Sequence, residues 1–561
     1  MTTERKETEK KASVSRRKFL KYGAGIVVAG AAAAGAYYYL AAPPGPPPTT
    51  TTTTSAPVTT TGPIYGGIVV MGHEEAIKII DPQSNAQQGA TWVDMNVLDR
   101  LVEYEAGPMG LDIVPSLAER WEVSSDGKEY TFYLRKGVMW HNGKEFSAED
   151  VKFTFERIRD KGYRKSYVPY IQQVDIIDKY IAKVVNNQPT NFLDAAANFM
   201  AGHILPVVTD DDLKTAGITR AEFEERGFAN FLIGTGPFRL KERRLDEYDL
   251  FEAYEGYWAK DSQGGKYPYL ANVKWVPATE GPVRVANLKS GAYDMITAVP
   301  GPDVEDVRNT PELEVVEKPG AIRAHIQFQC QRPPFNDVRM RQAVAYALDP
   351  KEIIDLVYQG YADNSRNIIP PWGPFYNDVK DPYTPQDLDK AKELMTAAGY
   401  GNGWKGELLT FVPEDAVSKV LKDQLSYVGI DLSIKVVDVG VWIATTYPPK
   451  SDYNISNITS SFKMDPFISM NPYIRTNSEY SLGLYSNQKM DTLLDALGTT
   501  VDRAKRTDIA AQAQQLFVDE VPIYVIGYLR SIYGLHGYVK NFTPRNPYVP
   551  YFKETWTEKK T

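Results

Sequence analysis

A single cysteine, Cys330, in a chain of 561 residues excludes an intrachain disulfide and any cysteine zinc cluster. Such a residue is expected as a small buried hydrophobe. Histidine is nearly as scarce. His73, His141, His203, His325 and His536 lie far apart, with no H-E-x-x-H among them, so no local ligand set for a metal stands out. There is no G-x-S-x-G and no G-x-x-x-x-G-K-[ST], which removes the nucleophile elbow and the phosphate cradle of an NTPase. The "GTGPF" run at Gly234–Phe238 lacks the third glycine of a dinucleotide fingerprint and reads as a turn. Charged residues are missing altogether from Tyr22 until Glu74.

What is present is a long, ordinary globular composition, 43% hydrophobic and 24% charged, long enough for two or three domains. The net charge is −8 but uneven. Residues 1–21 hold eight Lys or Arg against three Glu, so the remainder carries 55 basic and 68 acidic groups, a net of −13. An acidic body is a poor match for nucleic acid, which rewards clustered cations.

The N-terminus speaks of export. Ser15-Arg16-Arg17-Lys18-Phe19-Leu20-Lys21 stands before an apolar run, the pattern of a twin-arginine signal. Tyr22 to Ala42 is long enough to span a bilayer at about 1.5 Å per residue, so residues 1–42 read as a cleaved signal or a retained membrane anchor. Residues 43–63, "PPGPPPTTTTTTSAPVTTTGP", are a Pro/Thr stalk that cannot bury a core. Asn454, Asn457 and Asn541 begin Asn-X-Ser/Thr sequons.

The stretch "YTFYLRKGVMWHNGKEFSAEDVKFTFER", residues 130–157, has the look of a catalytic loop but is explained without chemistry. Trp121 to Arg135 reads as a hairpin turning at Asp126-Gly127. Ser147 and Asp150 form a capping box for a helix burying Val151, Phe155 and Ile158. His141 has no neighbouring nucleophile or ligand, so the stretch is scaffold.

The second half alternates helices and strands. Asp337 is placed to cap a helix, and Asp349-Pro350-Lys351-Glu352 ends it and starts another. Leu388 to Met395, Val417 to Val428, Asp491 to Leu497 and Arg503 to Asp519 carry helical spacing. Gly429 leads directly into an alternating strand from Ile430 to Val436, an α/β unit. "VPIYVIGYL" reads as a buried strand near the C-terminus.

Four blocks together carry a family resemblance: "IVPSLAERWEVSSDGKEYTFYLRKGVMWHNGKEFSAEDVKFTFERI", "IGTGPFRLKE" with "EGYW", "PPFNDVRMRQAVAYALDPKEIIDLVYQGYA", and "YSNQKMDTLLDALGTTVDRAKRTDIAAQAQQLFVDEVPIY". In that order they resemble the oligopeptide/dipeptide-type solute-binding proteins of ABC importers, family 5. The resemblance implies an α/β fold of two lobes around a cleft, of the type II (cluster C) kind, with an extra subdomain in the first lobe. By position the first lobe takes residues 64–110, 231–320 and 527–561, the subdomain 111–230, and the second lobe 321–526. A two-segment hinge is then expected at Pro319-Gly320 and near Tyr524 to Gly527, with Gly320 and Gly527 absorbing dihedral change.

It also implies capture of a small solute, a peptide or an oligosaccharide, by hinge closure, and delivery to membrane permease subunits outside the cytoplasm. Sugar-specific and nickel-complex-specific members are alternatives within the family, and an exported hydrolase is the alternative outside it. No catalytic group, metal or cofactor is expected, and the chain is expected to act as a monomer. Peptide-binding members hold the ligand ammonium with an Asp shortly before an acid-Pro pair. Aligning Asp465-Pro466 with that pair puts Phe462 at the ammonium position, while a shift of three residues gives Asp465 the role. Trp442 falls where relatives face ligand, or fills the lobe core, and Glu75 lies near a first-lobe edge that touches ligand in relatives.

Overall fold

Backbone pairing divides the protein into two sets of strands joined by two that pass through both. The computed structural model describes residues 62–83, 88–105, 112–161, 165–198, 202–228, 231–412, 414–448, 451–478, 480–545 and 549–559. Residues 63–561 form one unit and 1–62 another, of which only Gly62 is described. The export signal or anchor and nearly all of the stalk therefore lie outside the described residues. Among the described residues no helix is long and apolar enough to cross a membrane.

The chain opens with β1 (Ile68–His73). A short pair, β2 (Val102–Tyr104) and β3 (Ile113–Pro115), precedes an antiparallel sheet of order β4-β5-β7-β6, made of β4 (Ala118–Val123), β5 (Glu129–Leu134), β6 (Ile171–Asp178) and β7 (Ile181–Asn186). Next come β8 (Phe238–Arg244), β9 (Tyr248–Ala253), β10 (Asn272–Pro277), β11 (Met295–Ile296) and the long β12 (Leu313–Phe328). They are followed by β13 (Ala362–Asn364), β14 (Trp404–Thr410), β15 (Ile430–Val436), β16 (Ile455–Ser461) and the long β17 (Ile523–His536), then a final pair, β18 (Val539–Lys540) and β19 (Trp556–Thr557). The main sheet runs β15-β14-β16-β12-β17-β11-β1-β10-β9-β8, with β13 also on β17.

β12 and β17 are the shared spine. Leu313–Lys318 pair with His536–Ser531 on the first-lobe side, and Ile322–Gln327 pair with Leu529–Ile523 on the second. The register shifts between Lys318 and Ile322, so the crossing on β17 lies at Leu529–Ser531, later than the Tyr524–Gly527 position expected from sequence. Gly527 instead sits inside the second-lobe ladder, opposite Ala324 and Asn364. Neither glycine has room for a side chain. A Cβ on Gly320 would lie 1.5 Å from the Leu529 carbonyl oxygen, and one on Gly527 2.7 Å from that of Asp363.

Local structure follows the capping residues. Asp349 accepts from the amides of Lys351 (3.0 Å) and Glu352 (3.2 Å) ahead of the helix Pro350–Val357, while Asp337, Asp387 and Asp502 cap Val338–Ala347, Leu388–Ala397 and Arg503–Glu520. Each satisfies amides that a first helical turn leaves without partners. The expected hairpin is β4–β5, with Gly127 at φ 70°. The helix Asp415–Ser426 reaches β15 through Gly429 at φ 85°. In the first lobe Val285, Leu288, Ile296, Val304, Leu313 and Ile532 share a core. The C-terminal segment closes that lobe: Asn96 Nδ2 donates to Pro550 O (2.9 Å), the Phe552 amide to Asn96 Oδ1 (3.0 Å), and Lys559 pairs with Asp294 (2.6 Å).

The 130–157 stretch is scaffold. Gly234 N–H donates to His141 Nδ1 (3.1 Å), and Nε2 meets Gly236 O (3.0 Å), so both ring nitrogens are used. Burial pulls His141 down to about 4 and keeps it neutral. Trp140 Nε1 donates to Asp150 Oδ2 (3.2 Å), and the same oxygen accepts from the Ser147 amide (2.9 Å). Of the sequon residues, Asn457 is buried with its amide bonded to Glu414 O, which closes it to modification in the folded protein.

Candidate ligand-binding site

Strand direction locates the site. In the second lobe β14 is parallel to β15 and β16, and β16 ends at Ser461 opposite Ile322, beside the crossing. In the first lobe β1 is parallel to β10 and β11, and β11 is antiparallel to β17, which enters from the second lobe. The carboxyl ends of both parallel sets therefore point at the seam between lobes. Ligands of open α/β sheets bind in the crevice outside those ends.

All four sequence-predicted ligand residues leave strand ends on this seam: Glu75 after β1, Trp442 after β15, Phe462 and Asp465 after β16. Their side chains are not gathered into one cluster. Glu75 Oε2 accepts from the Gly89 amide (2.7 Å) in the first turn of Gln88–Val97. Trp442 is fully buried, donates from Nε1 to Ser456 Oγ (2.8 Å) and packs with Leu409, Tyr453 and Phe411, so in this conformation it fills the lobe core. Asp465 has both oxygens engaged: Oδ1 caps Pro466–Ile474 through the Ile468 amide (2.8 Å), and Oδ2 pairs with Arg506. Phe462 stands beside the crossing of β12 and β17. Its amide donates to Ala321 O (2.7 Å), and its ring meets Trp372 edge-on at 5.5 Å, while Trp372 Nε1 donates to Gly320 O (3.2 Å). Of the residues expected to form a hinge, Pro319 and Gly320 fall within the register shift.

The lobes touch across the seam. Arg506, in the helix Arg503–Glu520, pairs with Asp465 of its own lobe and with Asp194 Oδ2 (3.1 Å) of the helix Phe192–Ala197, which packs under the four-stranded sheet through Phe192. Tyr104 O–H donates to Asp194 Oδ1 (2.9 Å). Burial and the Asp465 charge push Asp194 up to about 7, against the pull of Arg506. Tyr170 stacks on Phe467 at 6.1 Å nearby. A cavity of about 170 Å³ adjoins this triad, lined by Tyr104 and Asp194 on one side and Phe375, Met464, Arg503 and Arg506 on the other. Small-molecule pockets reach about 300–1,000 Å³, so the cavity by itself is smaller than one.

Further groups at the seam carried no sequence motif. Arg323, on β12 across from Ser460, is 1% exposed. Glu414, after β14, accepts from Thr459 Oγ1 (3.3 Å), and burial pushes its carboxyl up to about 7. Alternation was the available signal for the first. Arg323, His325 and Gln327 share one face of β12, and the structure buries that face.

Among the described residues no group of three or more His, Cys, Asp or Glu is placed to hold a metal ion. Burial pushes the Cys330 thiol up to about 11, away from the reactive thiolate. Two lobes, two connecting strands and a seam facing both sets of strand ends define a solute-binding protein of the periplasmic type.

The chain belongs to the bacterial extracellular solute-binding proteins, family 5, whose model matches residues 112–480. It is 27% identical to the dipeptide-binding protein of Escherichia coli (strain K12) over 77% of this chain and 83% of that one. It is 29% identical to heme-binding protein A of Haemophilus influenzae over 79% and 84%. Among solved structures, the ABC transporter-associated periplasmic binding protein DppA from Helicobacter pylori, in complex with the peptide STSA, matches with a TM-score of 0.77 and 25% identity, covering 88% of this chain and 99% of that one.

Proposed function

We propose that this protein is the extracytoplasmic receptor of an ABC importer, capturing a peptide between its lobes and presenting the closed form to permease subunits. The observation that carries the reading is the seam: strand ends of both lobes face it, β12 and β17 alone among the described strands cross it, and Arg506–Asp194 spans it. A ligand touching both lobes binds the closed form better and shifts the population toward it. About 5 kcal/mol of preference takes a two-state equilibrium from mostly open to mostly closed. The peptide-binding relatives from E. coli and H. pylori favour peptide over other solutes. In this reading the twin-arginine leader exports the chain, residues 22–42 hold it at the membrane, the stalk sets it at a distance, and it works as a monomer without performing a reaction.

The test is a ligand screen on the purified protein. A bound peptide raises the melting temperature through RT ln(1 + [L]/Kd), and small-angle scattering should show a smaller radius of gyration with it. Stabilisation by oligosaccharides alone would move the ligand class to sugars. Recovery of a chemically altered ligand would overturn the binding-protein reading.

A further inference from the structure

Asp194, Asp465 and Arg506 meet across the seam, and their charges do not balance. Asp465 and Arg506 both belong to the second lobe and are already satisfied there. Asp465 Oδ1 accepts from the Ile468 amide (2.8 Å), Oδ2 pairs with Arg506, and Arg506 Nε donates to Leu497 O (3.1 Å). Asp194 reaches this pair from the first-lobe side, through Arg506 Nη1 (3.1 Å). A neutral buried pair thus receives a third charge, and a net negative charge out of water is costly. Two carboxylates sharing one site relieve that cost when one of them takes a proton.

The groups around Asp194 do not supply the missing cation. Tyr104 of β2 donates its hydroxyl to Oδ1 (2.9 Å), Asn191 donates its amide to Oδ2, and the hydroxyl of Tyr130, on β5, goes to Thr190 O. Arg503 lines the adjoining cavity, but it pairs with Asp112 of the first-lobe side (3.7 Å) and lies over the Phe375 ring at 5.6 Å. That second cation arrives with its own anion. Burial and the Asp465 charge push the Asp194 carboxyl up to about 7, in keeping with the charge count.

The triad belongs to a contact that opening would break. Tyr170 stacks on Phe467 beside it, and the β4–β5 turn at Gly127 lies so near the second lobe that a Cβ there would meet Val501 Cγ2 at 2.8 Å. A rotation at the crossing of β12 and β17 would carry Asp194 away and leave Asp465 and Arg506 paired behind it. In the open form Asp194 then meets water and ionises as an ordinary carboxylate, at about 3.9.

We propose that closing the lobes draws one proton from solvent onto the Asp194–Asp465 pair, so that capture is proton-linked and acid strengthens it. This rests on the closure reading above and adds a regulator to it. The closed form holds the proton more tightly than the open form, so affinity rises as pH falls from about 7 toward 4 and is level on either side.

The experiment is calorimetric titration of the full chain with trialanine, or with the histidine-free peptide that the melting screen selects. Its termini ionise outside the range of interest. At pH 6, in two buffers of different ionisation enthalpy, the wild type should take up about one proton per peptide, and it should bind about tenfold tighter at pH 5.5 than at pH 7. Asp194→Asn should take up none and bind equally at both. Glu414, whose carboxyl burial also raises, lies within the second lobe, so Glu414→Gln should keep the uptake. No uptake by the wild type, uptake that survives Asp194→Asn, or uptake lost in Glu414→Gln overturns the proposal. Should Asp194→Asn fail to fold, the proton counts of the wild type and Glu414→Gln decide. If no peptide binds at either pH, the peptide reading falls by itself. Closure is then followed by small-angle scattering of the ligand-free protein, whose radius of gyration should be smaller at pH 5 than at pH 7.5 in the wild type and not in Asp194→Asn. An equal radius at both in the wild type overturns the proton link.

Discussion

Removing Arg506 should both loosen the fold and part the lobes. Its guanidinium is 3% exposed and stands between Asp465, 2% exposed, and Asp194, 10% exposed. Arg506→Met leaves two carboxylates buried together without a cation, a situation that costs about 3–5 kcal/mol. Asp194→Asn is different. It keeps an acceptor for the Tyr104 hydroxyl, leaves the Arg506–Asp465 pair intact and removes the repulsion between the two acids, so a change within about 1 kcal/mol is expected. Because burial and Asp465 raise the Asp194 pKa, the folded protein holds a proton there that the unfolded chain releases. The wild type should therefore gain stability relative to Asp194→Asn as pH falls from about 7 toward 4. Only the Asp194 arm crosses the seam. If it contributes about 1.4 kcal/mol to closure, Arg506→Met should weaken ligand binding about tenfold. Chemical denaturation, calorimetry and small-angle scattering on both variants read these effects. Equal damage from the two substitutions, or an unchanged denaturation midpoint for Arg506→Met, refutes the reasoning.

Three further outcomes are expected. Glu414→Gln removes a carboxyl whose pKa burial raises to about 7, so the wild type should lose stability relative to it as pH rises from about 4.5 to 7, by at most about 3 kcal/mol, and parallel melting curves in that range would contradict the assignment. Gly320→Ala places a methyl 1.5 Å from the Leu529 carbonyl, so β12 and β17 must separate at the crossing; a loss of about 2 kcal/mol or more in denaturant titrations is expected, and none would show that the strands part freely. Trp442→Phe loses the bond to Ser456 and leaves a void in the second-lobe core, which should cost about 1–3 kcal/mol while ligand preference stays the same; altered preference would return Trp442 to the binding surface.

Legibility from sequence was greatest where one local rule decides. Asp337 and Asp349 cap the helices that follow them, and Asp126-Gly127 turns the β4–β5 hairpin, because caps and turns depend on a few adjacent residues. The crossing was legible only in part: Pro319-Gly320 marks one strand of it, while its partner at Leu529–Ser531 is set by register with β12, a relation between residues some two hundred apart. Phe462, Asp465, Trp442 and Glu75 could be placed near strand ends, but not what each side chain touches. That Asp465 belongs to Arg506, and that Arg323 lies buried, depends on tertiary packing. A polar residue alternating along a strand reads as solvent-facing until a second layer, here Pro466–Ile474, covers it.

The division of the first lobe's sheet also sets an order of assembly. The second lobe's strands run from Ile322 to Leu529 without a break in chain, whereas the first lobe needs Ser531–His536, Pro550 and Lys559 before its edge, its Asn96 contacts and its Asp294 pair exist. A ribosome can release the inner half ready-made while the outer half waits for Ser531–Lys559. Losing Ile532 onward would remove the Gly534–Leu535 stretch that pairs with β11 and leave Asp294 without its cation, so a nick there should cripple the half that was synthesised first.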